Sequence, residues 1–288
     1  MHTEEFMKFI VEREAVRAAR ESGKSWPWTA DPILQQYKFC NVHRENDRVT
    51  RWLASNWRLI HDTDPYLGFA LTVFRRGFNW PDTAIELGYP IDWDPAHYVD
   101  VCRQRKLRDE RVFESGAYKV MVSHALSKKL VPPTSDAAEQ QVRCVFNWLW
   151  SHRDHYRPKA TDTLLTFHAR LMAAQGMGAF HAGQVVADLK YVQLKSAPDW
   201  WTFAASGPGS RRGLNRVLGR PINAEWDEEE WFANLCRLQS AIDPLVAAAR
   251  IARLHAQDTQ NALCEFDKYE RVRLGQGKVR FYTPPQLQ

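Results

Sequence analysis

The stretch from 161 to 199, TDTLLTFHARLMAAQGMGAFHAGQVVADLKYVQLKSAPD, constrains this chain more than any other. Leu164, Leu165, Phe167, Leu171 and Met172 recur at helical spacing and run into Gln175-Gly176-Met177-Gly178. A second apolar set follows at Phe180, Val185, Val186 and Leu189. This pattern predicts two helices joined by a tight GxG turn over about 161–190, a helix-hairpin-helix. Glycine has a physical role in such a turn. Backbone without Cβ atoms approaches a phosphate closely, and the amides that open the second helix attract the anion.

Helical periodicity dominates elsewhere too. Residues 4–20 read as an amphipathic helix, and 47–60 place Val49, Trp52, Leu53, Trp57 and Ile60 on one stripe. Pro65 can open a helix to about Phe74, and Asp94-Pro95 another to about Lys106. Further helices are expected at 117–130, 136–151, 212–218 and 227–255, the last with an acidic first turn that suits the helix dipole. Only 111–122 and 278–283 read as strands. The expected fold is mostly α with few short strands, one compact domain over 1–288 in which Pro132-Pro133 can separate two lobes.

Composition removes several classes. With 44% hydrophobic and 25% charged residues the chain is globular rather than disordered. No apolar run approaches the roughly 20 residues of a membrane helix. The charged opening MHTEEFMKFIVEREAVRAAR lacks the apolar core of a secretion signal. Five cysteines, odd in number and without a CxxC pair, argue against a disulfide framework and a zinc ribbon. A soluble cytoplasmic monomer is expected. Net charge is a mild +5, but arginines cluster at 103–111, 211–220 and 271–280, beside 12 Trp, 9 Tyr and 14 Phe. Together they offer phosphate contacts and flat surfaces for bases; singly, each stretch reads as core aromatics and a solvated face.

Three familiar patterns fail. Gly23-Lys24-Ser25 resembles the end of a phosphate-binding loop, yet position 18 is Ala and a helix precedes it. Gly176-Met177-Gly178 has its next glycine at 183, not 181, which excludes a dinucleotide fingerprint. His152, Asp154, His155 and His168 suit capping or surface roles better than metal ligation. Nothing in the sequence calls for a metal or organic cofactor.

Beyond the hairpin, Asp199 stands in Ser196-Ala197-Pro198-Asp199-Trp200, 23 residues after Gly176. The segment resembles the catalytic module of helix-hairpin-helix DNA glycosylases, where an aspartate follows the hairpin after one helix and a short loop. In that reading Asp199 stabilises charge developing on the sugar or activates the nucleophile. The competing reading is a helix N-cap or turn residue. Bifunctional members of that superfamily carry a lysine two residues after the second glycine; here Phe180 stands there. That departure implies a water nucleophile and no built-in strand cleavage. Gly176, Gly178 and His181 become the expected hairpin contacts to DNA, holding it without reading its sequence.

Further blocks narrow the resemblance. They are Ser25-Trp26-Pro27-Trp28-Thr29-Ala30-Asp31-Pro32, Tyr37 to Glu45, Asp199 to Phe203, Gly207 to Asn215, and Cys264-Glu265-Phe266-Asp267-Lys268-Tyr269. Together they resemble the α-glutamyl/putrescinyl-thymine pyrophosphorylase family, whose module also occurs as the helical domain of 5-hydroxymethyluracil DNA kinases. The resemblance implies a glycosylase-like fold and double-stranded DNA with a hypermodified pyrimidine as substrate. It leaves two chemistries open. One excises a base such as glucosylated 5-hydroxymethylcytosine by hydrolysis, as an antiphage defence. The other transfers an amino acid or polyamine onto activated 5-hydroxymethyluracil with loss of pyrophosphate. A non-catalytic DNA-binding module is a third possibility.

Residue types suggest roles. Asn41 and Arg44 carry donors suited to a base edge, with Glu45 and Asp47 to orient them; alternatively Arg44, Glu45 and Asp47 form a structural ion-pair knot. Trp26, Trp28, Tyr37 and Phe39 can flank a flipped base or pack in a core. Gly209, Ser210, Arg211 and Arg212 lie in a glycine-rich turn that could cradle an anion. The leading expectation is a monofunctional glycosylase with Asp199 as its carboxylate.

Overall fold

The computed structural model describes residues 2–114, 136–276 and 279–282. The Pro132-Pro133 break and the helix expected at 117–130 lie outside them. The described chain is mostly helical, and its one β feature is a bridge between Tyr37 and Phe281. Residues 111–114 form no strand. The chain divides into two units, Met1–Asp47 with Trp201–Gln288, and Arg48–Trp200.

In the first of these units, helix Thr3–Glu21 turns Phe6, Phe9, Ile10 and Val16 inward. Phe6, Phe9 and Ile10 join a core with Leu214, Val217, Trp231, Leu235, Leu238, Ile242, Leu263 and Phe266. Helix Pro208–Leu218 lies against helix Ala256–Arg273 closely enough that glycine is required. A Cβ on Gly213 would overlap the Leu263 carbonyl, and one on Gly209 the Cys264 sulfur. Fully buried Asp267 fastens the pair, receiving Arg212 at 2.9 Å and Arg216 at 3.0 Å. The long acidic-first helix runs over Glu228–Ala248, capped by Asp227. It stops short of the expected residue 255 because Arg250 adopts a left-handed φ of 57°. The chain then restarts as Ala256–Arg273, a separate helix that the periodicity did not reveal.

Gly23 also has φ +77°, at the end of helix Thr3–Glu21, where Gly23 N and Lys24 N donate to the Arg20 and Ala19 carbonyls. Gly23-Lys24-Ser25 is thus a helix stop facing carbonyl oxygens, the wrong polarity for a phosphate.

In the Arg48–Trp200 unit the predicted 47–60 helix is real but not uniform. It is α-helical over Arg48–Leu53 and widens to a π-helical turn over Ala54–Arg58. A wider turn shifts side-chain phase. Leu53 and Trp57 are buried as expected, while Ile60 is 65% exposed. The same α-to-π change occurs at Leu67–Val73 with Phe74–Phe78, and again at Ala137–Gln140 with Gln141–Phe146.

Ala54–Arg58, Leu67–Val73 and Phe74–Phe78 pack against helix Ala179–Leu189, where Asp188 has no exposed surface. Asp188 accepts from Arg75 Nε at 2.6 Å and Arg58 Nη1 at 3.4 Å. Arg75 donates onward to Asn79 at 2.8 Å and Thr50 at 3.3 Å. Removing the carboxylate leaves two buried guanidinium groups uncompensated, which costs about 3–5 kcal/mol. Asp188→Ala is therefore expected to lower the urea unfolding midpoint sharply, whereas an unchanged midpoint would show the network to be dispensable.

Candidate functional site

The hairpin forms as the spacing predicts, from helix Leu164–Met172 and helix Ala179–Leu189. Leu164, Phe167, Leu171, Val185, Val186 and Leu189 are buried, while Leu165, Met172 and Phe180 remain exposed. The two glycines of the turn differ. Gly176 has φ +74°, and a Cβ there would press on Val145 at 3.0 Å. Gly178 is extended, meets nothing within 4 Å, and opens the second helix without a side-chain cap.

Buried side chains hold the turn from inside. Arg76 donates to the Gly176 carbonyl and, at 2.7 Å, to Nδ1 of His181. Burial pulls the Arg76 guanidinium down to about 10. His168 donates through Nε2 to the Ala179 carbonyl at 3.1 Å, and Gln175 donates to the Cys144 carbonyl at 2.6 Å. His181, expected among the DNA contacts, is 8% exposed and braces the hairpin.

Asp199 lies in the loop after the second hairpin helix. A reciprocal clasp fixes that loop: Lys190 Nζ donates to the Trp200 carbonyl at 3.0 Å, and Trp200 Nε1 donates to the Lys190 carbonyl at 2.8 Å. The fully buried Lys190 ammonium also sits 3.9 Å from the Trp200 ring centre. The half-buried Asp199 reaches back to the start of the first hairpin helix. Its Oδ1 accepts from Leu164 N at 2.8 Å and its Oδ2 from Leu165 N at 2.9 Å. Thr163 Oγ1 takes the next amide, Thr166 N, at 3.0 Å. The carboxylate therefore caps a helix far upstream in sequence, with both oxygens oriented by backbone amides. Hairpin, clasp and carboxylate are one connected block within a single unit.

The other unit holds a small solvent-open cleft. Trp26, Trp28, Tyr37, Phe39 and Asn41, all expected at the substrate, line it together. Phe39 and Asn41 are buried, the other three half-buried. Arg44, Glu45 and Asp47 do not line this cleft. Asp47 accepts from Asn41 N at 3.0 Å, and Arg44 N donates to Asp258 at 3.0 Å, so these residues shape the turn that follows. Glu45 lies within the single 3-10 turn Arg44–Asn46 of that segment.

The segment from Gly207 to Arg212 opens helix Pro208–Leu218, with Ser210 Oγ accepting from Gly207 N at 3.0 Å. Arg211 pairs with Glu228 and Arg212 with Asp267. Gly209 sits where helix packing leaves no room for a Cβ. The structure accounts for this glycine by packing and for both cations by carboxylate partners.

Sequence reasoning missed two groups. Arg13, Arg17 and Arg20 bring three guanidinium groups to the cleft; their spacing of i, i+4 and i+7 on one helix was the available signal. Arg75 and Arg76 stand as adjacent charges inside the apolar run LGFALTVFRRGF, which marks buried, partnered cations.

A family model described as 5-hmdU DNA kinase, helical domain, matches residues 1–279. A 5-hmdU DNA kinase of Bacillus phage SP10 is 27% identical over 229 residues, covering 73% of this chain and 35% of that protein. The chain thus matches about a third of that relative's length. No solved structure matches.

The two hairpin glycines offer a direct check on the turn. Gly176→Ala, strained by its left-handed backbone, is expected to destabilise by about 1–2 kcal/mol. Gly178→Ala, in ordinary backbone and open space, should change stability by less than about 0.5 kcal/mol. Equal effects in thermal unfolding would contradict the turn described.

Proposed function

The chain belongs to the family of 5-hmdU DNA kinase helical domains, and from that premise we propose that it processes a modified pyrimidine in DNA by excising the base. One observation carries this reading. The Asp199 carboxylate is held at the hairpin by Leu164 N and Leu165 N, so an element suited to gripping a DNA backbone and an oriented anion form one rigid block. Gly176 and Gly178 would approach the phosphates, with the uncapped start of the second helix beside them.

In the reaction the base leaves with the electron pair of the C1′–N bond. Asp199 stabilises the positive charge that develops on the sugar, water adds to C1′, and the water's proton passes to solvent or to the departing base. Phe180 stands where a Schiff-base lysine would be needed, so the product is an intact strand with an abasic site. A bulky substituent such as the glucose of glucosylated 5-hydroxymethylcytosine would make this a defence against modified phage DNA.

The Bacillus phage relative favours a second reading. A 5-hydroxymethyl group activated as its pyrophosphate ester could be displaced by an amine, which forms the CH2–N bond, breaks the CH2–O bond and passes its proton to solvent. That reaction keeps the glycosidic bond and releases pyrophosphate. The helix stop at Gly23-Lys24-Ser25 gives no support to a kinase centre at that motif.

Mass spectrometry after incubation with DNA carrying glucosylated 5-hydroxymethylcytosine or 5-hydroxymethyluracil separates the readings. Excision predicts free modified base and alkali-sensitive strands. Asp199→Asn keeps one accepting oxygen but turns its NH2 toward one of the two amides, so it should destabilise by about 1–2 kcal/mol while slowing release from the folded protein at least about 100-fold. Undiminished release by this variant would remove Asp199 from the chemistry, and pyrophosphate with the base retained would replace excision by transfer.

A further inference from the structure

The arginine-rich run 103–111 divides once its partners are known. Arg103 pairs with Glu139, Arg105 with Glu86, Lys106 with Asp136, and Arg108 with Glu86 and Glu110. Arg111 has no carboxylate within ion-pair distance among the described residues. Its guanidinium carbon lies instead 4.6 Å from the ring centre of Trp80. Arg48 approaches the same ring from another segment, at 5.1 Å, and it too has no carboxylate partner among the described residues. Both arginines are exposed. The Trp80 Nε1 is buried without a partner, so what the indole presents to them is its face. One ring thus gathers two uncompensated guanidinium groups, the group that stacks on aromatic faces and forks onto phosphate. Their separation cannot exceed the sum of those two distances, so they repel one another until an anion joins them.

Buried bonds hold the parts in place. Arg75, which Asp188 fixes, donates to Asn79 at 2.8 Å and to Thr50 at 3.3 Å. Asn79 directly precedes Trp80 and has a left-handed φ of 47°, while Thr50 follows Arg48 by two residues. On the other side, Arg105 Nε donates to the Arg111 carbonyl at 3.0 Å, and Thr83 Oγ1 donates to the Val112 carbonyl at 3.0 Å. Thr83 belongs to helix Pro81–Leu87, which Trp80 opens. The backbone that carries Arg48, Trp80 and Arg111 is therefore set before any ligand arrives, which lowers the ordering cost of binding.

We propose that Arg48 and Arg111, stacked on Trp80, form a clamp for a backbone phosphate of DNA, made by residues other than the hairpin glycines. An open site on exposed arginines suits a phosphate delivered within a strand, where neighbouring contacts hold it in reach. Such a contact positions the DNA and reads no sequence. The inference rests on the reading that the chain acts on DNA and is independent of the chemistry at Asp199.

Fluorescence anisotropy of the full chain on a short labelled duplex, measured across a salt series, tests it. Arg48→Gln combined with Arg111→Gln should weaken binding at least about tenfold and lower the slope of log Kd against log salt by about 0.9, one phosphate contact. Both positions are exposed, so the unfolding temperature should not change. Arg103→Gln removes an equal charge from an arginine that already has a carboxylate, and should alter affinity less than about twofold. Parent-like affinity in the double variant, or a loss in Arg103→Gln as large as in Arg111→Gln alone, overturns the clamp while DNA binding stands. A parent chain that binds no duplex overturns the clamp and the DNA reading together. Weakened binding in the double variant beside a parent that releases no base upholds the clamp and removes excision.

Discussion

A carboxylate with no exposed surface, Asp188, holds two buried arginines, and the geometry of the hairpin unit follows from it. Arg58 and Arg75 come from two segments that each widen into a π-helical turn, and both must reach the same side chain. Such a network adds little net stability over apolar packing, but it permits few alternative registers. Once the second hairpin helix is fixed at Asp188, its two ends are fixed as well. At one end, Arg76 follows Arg75 and braces Gly176 and His181. At the other, Lys190 clasps Trp200 and sets the loop that carries Asp199.

Asp199 then serves two masters. Its oxygens satisfy the first two amides of helix Leu164–Met172, which would otherwise lack partners. The same bonds remove rotational freedom from the carboxylate, which is what an electrostatic catalyst requires. Capping and catalysis are therefore compatible readings of one residue, and a substitution that removes the charge but keeps one of the two capping oxygens separates them. The other unit uses different means to the same kind of end. Gly209 and Gly213 let two helices touch, Asp267 fastens them with arginines, and the N-terminal helix presents its own arginines to an aromatic cleft.

Much of this was legible in the sequence where periodicity and turn chemistry agree. The hairpin, the helix opened by Asp94-Pro95 and the first helix all stand where expected. Helix Ala256–Arg273 was hidden because its inward face includes Asp258, Glu265 and Asp267, so polar residues interrupt the apolar stripe. Pairing with distant partners such as Arg212 makes those positions buriable, and no local pattern encodes that. Arg250 closed the preceding helix through a left-handed backbone that its side chain does not announce. Trp26, Trp28, Tyr37, Phe39 and Asn41 converge on one cleft, a convergence that their residue types, equally suited to core packing, did not decide. The Gly207-Pro208-Gly209 turn looked like an anion cradle because glycine serves close approach to phosphate and to another helix equally well.

The central claim is that Asp199 stands at the anomeric carbon of the nucleotide being processed. A crystal structure of the full chain on DNA carrying a 2′-fluoro, excision-resistant modified pyrimidine measures that distance directly. The account predicts the sugar C1′ about 3.5 Å from an Asp199 carboxylate oxygen, with the hairpin amides on the neighbouring phosphates. An extruded nucleotide whose C1′ lies against other residues, with Asp199 remote from it, would contradict the account.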